Sequence, residues 1–159
     1  NNLGIVGRDI NNNAGLYPIK VLEKYSKLIK CSFKDFDVLI IGMAFKGIPD
    51  TTDLRGSVSV EIFNNLKDKV NSLSSWDAVV SYSSLKENNL NPISDLKIDI
   101  NKFNLILILN NHSKNINFNP FIKVKSKRLI FDGWHMLDSS EVEKVVGQTY
   151  STMGYMTKI

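Results

Sequence analysis

Val38 to Ser59 reads VLIIGMAFKGIPDTTDLRGSVS. Val38 to Ile41 run unbroken into Gly42, the pattern of a strand buried on both faces. Lys46 follows closely, and a loop bearing Asp53 and Arg55 then leads to Ser57, a residue type suited to capping a helix. Val58, Ile62 and Leu66 recur every four residues, so that helix has one apolar face. Strand, turn and helix in this order put Lys46 and Arg55 at the carboxyl end of a buried strand, where open α/β sheets bind their ligands. A lysine there must send its ammonium over the sheet edge or leave a charge unpaired inside. It either acts as a point charge on a phosphate or reaches only solvent. Asp53 and Arg55 are separated by one residue, so in an extended loop both point to the same side and can pair, which contributes little if the pair is exposed.

Outward from this stretch the segments alternate. Val70 to Trp76 reads as a second strand, with Asp77 following its end. Tyr82 to Asn91 holds a short helix. Leu105 to Leu109, LILIL, is the most hydrophobic run and reads as a central strand, with Asn110, Asn111 and His112 at its carboxyl edge. Arg128 to Phe131 gives a further strand, Asp138 to Val146 a helix opened by Asp or Ser, and Thr149 to Met153 a last strand. Strands alternating with helices predict an α/β fold, a Rossmann-like open parallel sheet with flanking helices and right-handed crossovers.

Upstream, Leu16, Ile19, Leu22, Tyr25, Leu28 and Ile29 follow helical spacing within Leu3 to Ile29, and Pro18 is expected to start or kink a helix there. Asn11 to Asn13 mark an irregular join between two helices. The pair either packs on the domain or connects two domains at a dimer seam. This divides the chain into a helical linker and dimerisation region, residues 1–33, and a ligand domain, residues 34–159. The chain opens without Met, inside a helix, which suggests a piece of a longer protein.

At 159 residues and 43% hydrophobic content, the chain has room for one core and an extra element. Its net charge of +4 comes from scattered Lys and Arg with no long basic run and no interleaved aromatic platform, which argues against a nucleic-acid binder and suits a small phosphate-bearing ligand. Cys31 is the single cysteine, so an internal disulfide is impossible and a reducing cytoplasm is the simplest compartment; it reads as a packing residue rather than a nucleophile. No apolar run is long enough for a membrane span and no signal peptide is evident. The two histidines, His112 and His135, have no zinc-site spacing, and neither a G-x-S-x-G elbow nor a G-x-G-x-x-G fingerprint is present. No catalytic residue and no metal ligand are therefore assigned.

Gly42, Ala44, Phe45 and Lys46, followed by Thr51, Asp53, Arg55 and Ser57, resemble the opening of the C-terminal nucleotide-sugar-binding domain of the UDP-glucose/GDP-mannose dehydrogenases, G-x-A-F/Y-K then T-x-D-x-R-x-S. Gly7, Arg8, Ile10 and Asn11 match the motif of the long helix that in the family joins the two halves and forms the dimer core. The resemblance implies an NAD-dependent enzyme that oxidises the sugar C6 hydroxyl to a carboxylate in two hydride transfers, for polysaccharide precursors. The nucleophilic cysteine and most of the NAD site belong to the family's N-terminal half, and Cys31 lies outside any such loop. A piece of this kind is expected to bind but not to turn over.

By the same resemblance, Phe45 and Lys46 contact the UDP-sugar, and Arg55 reaches toward the NAD. In Ile130 to Asp138, IFDGWHMLD, the family often carries an arginine that contacts the nucleotide sugar; here Trp134 and His135 stand in its place. Trp134 either stacks on a ligand or packs in the core, and His135 either donates to the ligand or lies idle on the surface. The expected partners are a UDP-sugar and a second copy of the chain, with no nucleic acid and no membrane. The alternative is an assembly module that acts through Leu16 to Ile29 alone.

Overall fold

Along each strand successive side chains point to opposite faces of the sheet, and the chain covers both. The computed structural model describes residues 15–120 and 127–157. Its strands are β1 (Asp37–Ile41), β2 (Ser72–Trp76), β3 (Leu105–Ile108), β4 (Arg128–Asp132), β5 (Gln148–Thr152) and β6 (Tyr155–Met156). Their order across the sheet is β2-β1-β3-β4-β5-β6. All neighbours pair in parallel except β5 and β6. The chain leaves β1 on one side to form β2 and returns on the other to form β3. The connections from β1 and β3 therefore run to opposite sides of the sheet, which makes their carboxyl ends the switch point at which this class of sheet binds ligands.

Val38 and Ile40, Leu105 and Leu107, and Leu129 and Phe131 share one face of the sheet. Leu39 and Ile41, Ile106 and Ile108, and Ile130 share the other. The period of two is that of an extended strand, and each such side chain, once buried, contributes roughly 1.5–3 kcal/mol. The helices are α1 (Tyr17–Ile29), α2 (Val58–Leu66), α3 (Tyr82–Glu87), α4 (Leu96–Asp99) and α5 (Ser139–Val142), with 3₁₀ turns at Phe33–Asp35, Ile100–Lys102 and Ser113–Ile116. α1 and α2 cover the first face with Leu22, Tyr25, Ile62 and Leu66. α4 and α5 cover the second with Leu96 and Val142.

Pro18 lies in the first turn of α1, where its missing N–H costs nothing. Val21, Leu22 and Tyr25 are buried on the sheet and Ile19 and Ile29 pack beside them, so the apolar stripe of α1 is occupied within its own domain. Leu28 alone of the helix's expected apolar positions is clearly exposed. Gly7, Arg8, Ile10 and Asn11 to Asn13 lie outside the described residues. α1 ends with Lys30 in the left-handed region, φ 58, and the Cys31 N–H donates to Ser26 O at 3.0 Å. That reversal turns Cys31 to solvent, so its expected packing role is corrected.

Other expectations move at their edges. β2 begins at Ser72 rather than Val70. The helix expected to reach Val146 closes after one turn, and turns lead from Glu143 to Gly147, at φ 84, and into β5. The last strand turns back at Met153 and Gly154 to pair with β6, which alternation over so short a run does not announce. α4 was not expected; Asp95 caps it by accepting from Lys97 N and Ile98 N. No helix among the described residues is long and apolar enough to cross a membrane.

Candidate functional site

The loop after β1 is the centre of the site, and glycine decides its shape. Gly42 holds φ 88, a region open to glycine at little cost, and a Cβ there would come within 2.7 Å of the Asn110 side chain. Further along, a Cβ on Gly47 would collide with the backbone of Asn111 and His112. These two close approaches let the loop after β1 lie directly against the loop after β3. Gly47 N donates to Asn111 Oδ1 at 3.2 Å. His112 adds a second tie: its Nδ1 accepts from Lys114 N at 3.2 Å, which leaves Nε2 to carry the proton toward Asp50 Oδ1, 3.4 Å away.

Between the two glycines the backbone is held from inside. Gly42 N donates to Trp76 O at 2.9 Å and Phe45 N to Asp53 O at 2.8 Å. Met43 N and Ala44 N both donate to Asp77 Oδ2, at 2.6 and 2.9 Å. Ser59 Oγ donates to Gly42 O at 2.6 Å and Ser57 Oγ to Met43 O at 2.7 Å. Ser57 does stand at the start of α2, yet its hydroxyl makes no helix cap, a correction to the sequence reading. The oxygen is drawn to the strand turn, so the helix is docked onto that turn.

Phe45 and Lys46 emerge from this frame exposed, Phe45 by 57% despite its apolar ring. No hydrogen bond or ion pair engages the Lys46 ammonium among the described residues. An exposed aromatic ring next to an unpaired cation, at the carboxyl edge of β1, is suited to a ligand with one flat face and one anionic group.

The loop after β4 reaches the same edge. Gly133 N donates to Ile108 O at 3.0 Å, and the Trp134 indole N–H donates to Leu109 O at 3.1 Å. Trp134 is 54% exposed, so it is not a core tryptophan. His135 takes a left-handed φ of 51 and its Nε2 lies 2.9 Å from Thr152 Oγ1. Buried Asp132 anchors this loop, accepting from Trp134 N at 3.2 Å, Leu137 N at 2.8 Å and the Tyr150 hydroxyl at 3.1 Å. Burial, and then the Asp132 charge, push that hydroxyl's pKa far above its ordinary value.

Arg55 belongs to the loop that holds Phe45: Asp53 O accepts from Phe45 N, and a Cβ on Gly56 would lie 3.9 Å from the Phe45 ring. Asp53 forks Arg55, accepting from Nε at 2.9 Å and from Nη2 at 2.8 Å, and also accepts the Arg55 backbone N–H at 2.9 Å. These bonds hold the Asp53 carboxyl down at about 2 although the pair is open to water. Arg55 borders a concavity of about 180 Å³ with Leu54, Val60, Asn64, Asn88 and Leu90. A larger one, about 320 Å³, opens at the opposite edge of the sheet beside Lys127 and Gly147 to Thr149, and none of the motif residues reaches it.

The structure thus places Phe45, Lys46, Trp134 and His135 along three tied loops of one sheet edge, with Arg55 in the loop that backs Phe45. Asp77, Asp132 and Asn111, which hold those loops, escape a reading of the sequence. Their one signal is position, since a polar residue just past a buried strand either serves the loops or faces a ligand. As for NAD, the N–H groups of Met43 and Ala44 that a pyrophosphate cradle would require are already engaged by Asp77.

Solved structures of several dehydrogenases share the fold, three of them as follows. A UDP-D-ManNAc dehydrogenase from Pyrococcus horikoshii matches with TM-score 0.69 at 18% identity, over 94% of this chain and 32% of that one. A UDP-glucose dehydrogenase from the archaeon Pyrobaculum islandicum matches with TM-score 0.64 at 17% identity, over 90% and 30%. The UDP-N-acetyl-mannosamine dehydrogenase Cap5O from S. aureus matches with TM-score 0.64 at 24% identity, over 93% and 32%. The chain spans about a third of the length of each. No curated protein sequence matches it. The UDP-binding domain of one family fits residues 39–139, from β1 through the first residue of α5 and so across every loop of the site. On that match the chain belongs to the UDP-glucose/GDP-mannose dehydrogenase family and carries its UDP-binding domain.

Proposed function

We propose that this chain is the substrate-holding part of an NAD-dependent dehydrogenase that oxidises the C6 hydroxyl of a UDP-sugar, of the UDP-glucose or UDP-N-acetylhexosamine type, to a carboxylate for polysaccharide precursors. The observation that carries the reading is the exposed Phe45 and unpaired Lys46 at the switch point between β1 and β3, inside the matched domain. Lys46 neutralises part of the diphosphate charge, and Phe45 and Trp134 offer flat apolar faces to the base or sugar. His135 supplies a ring nitrogen at the same edge. Arg55 faces NAD, which another part of a longer cytoplasmic protein holds when bound and which accepts the hydride; the residues described here bind and orient the substrate and take no chemical step.

On this reading the chain alone binds UDP without oxidising anything. Titration calorimetry with UDP tests it: the unsubstituted chain gives heat, and Lys46→Ala weakens binding tenfold or more, about 1.4 kcal/mol. No heat from the unsubstituted chain, or equal affinity in both, contradicts it. Dimerisation through the amino-terminal segment belongs to the same proposal, and light scattering that finds a monomer at all concentrations removes that part.

A further inference from the structure

Asp77 is a buried carboxylate, 8% exposed, that pairs with no cation among the described residues. Its charge is met by four backbone N–H groups. Oδ2 accepts from Met43 and Ala44 at 2.6 and 2.9 Å, and Oδ1 accepts from Val79 and Val80 at 2.8 and 2.9 Å. Two of these donors belong to the turn that carries Phe45 and Lys46, and two to the loop after β2. Successive N–H groups converging on one point make an anion-binding concavity, which in glycine-rich phosphate loops receives the ligand. Here the protein's own carboxylate fills it.

The turn cannot offer Met43 N–H or Ala44 N–H to a phosphate, and Gly42 N and Phe45 N are engaged as well, so the first backbone donor past β1 that no group among the described residues takes is that of Lys46. The turn is also bolted to the β2 loop by charge-assisted bonds, each stronger than a neutral one. A shift of this turn would swing Phe45 and Lys46 relative to the loop after β4.

From this geometry we infer that Asp77 is a positioning residue for the nucleotide contact. It stands inside the turn where a phosphate would otherwise sit, closes that place to a ligand, and fixes the direction in which Phe45 and Lys46 meet the diphosphate. The inference rests on the nucleotide reading above.

The test uses the whole chain unsubstituted, as Asp77→Asn and as Leu66→Ala. The last lowers stability from the far end of α2 without touching the turn. Amide ¹H–¹⁵N spectra without ligand read the turn, and calorimetry with UDP reads binding. In Asp77→Asn the amides of Met43, Ala44, Val79 and Val80 shift, those of Phe45 and Lys46 move with them, and UDP binds at least tenfold more weakly. Leu66→Ala lowers the melting temperature while keeping the parent's turn amides and affinity. If Asp77→Asn does not fold, Asp77→Ser, which retains one short acceptor, gives the same readings. Phe45 and Lys46 amides that stay in place, or an unchanged UDP affinity in a parent that binds, overturn the inference. A parent that gives no heat with UDP overturns the nucleotide reading itself, and the positioning role falls with it.

Discussion

At the scale of single residues, the two basic groups of the motif have opposite surroundings. Among the described residues Lys46 is left without a partner, while Arg55 is forked by Asp53. The Asp53 carboxyl, held at about 2, lies below its ordinary value of about 3.9, so the pair favours the folded chain above that ordinary value and loses its contribution as pH falls through about 2. Both groups are open to water and screened by salt, so the effect belongs to local loop order rather than to global stability. Arg55→Ala is expected to raise the Asp53 titration, followed by carboxyl ¹³C shifts, part of the way toward the ordinary range, since the backbone N–H at position 55 remains; a midpoint that stays near 2 would show that the guanidinium does not hold it down. That the two residues would meet was legible from their spacing alone. That Trp134 would be half in solvent was not, because an indole N–H finds its acceptor in the fold, here Leu109 O, and sequence does not reveal which carbonyl is left free.

Among the elements, the loops after β1 and β3 depend on glycine for their contact. Gly47→Ala would drive a methyl group into the Asn111–His112 backbone, within 2.7 Å of the Asn111 carbonyl carbon. Overpacking of this kind costs roughly 1–3 kcal/mol, so the urea midpoint should fall correspondingly and UDP binding weaken with it. An unchanged midpoint would mean that the two loops are not held together as described. β1 and β3 could be read from their apolar runs because a strand buried on both faces has little choice of composition, and α2 from its four-residue repeat. The end of α5 is not legible, since the turns that lead from Glu143 through Gly147 into β5 follow backbone angles that composition does not display. α4 left a signal that went unread: Asp95 as cap, with Leu96 and Ile100 four residues apart on its inward side.

For the molecule as a whole, α1 shares the core of the sheet, although the division at residue 33 places it outside the ligand domain. Leu22 is fully buried in the same cluster as Leu107 of β3. Leu22→Ala and Leu107→Ala are each expected to cost about 2–5 kcal/mol in denaturant unfolding, with a single transition in both. A loss below about 0.5 kcal/mol for Leu22→Ala, the range of ordinary surface changes, would make α1 an appendage rather than part of the domain. The sheet order was not legible in the sequence, yet it decides where the switch point lies, because the crossing from β2 over β1 to β3 is what opens the carboxyl edge beside Lys46. A crystal structure of the chain with UDP tests that placement most directly. The diphosphate is predicted at this edge, with an oxygen within about 3 Å of Lys46 Nζ; a diphosphate seated at the opposite edge, beside Lys127 and Gly147, would contradict it.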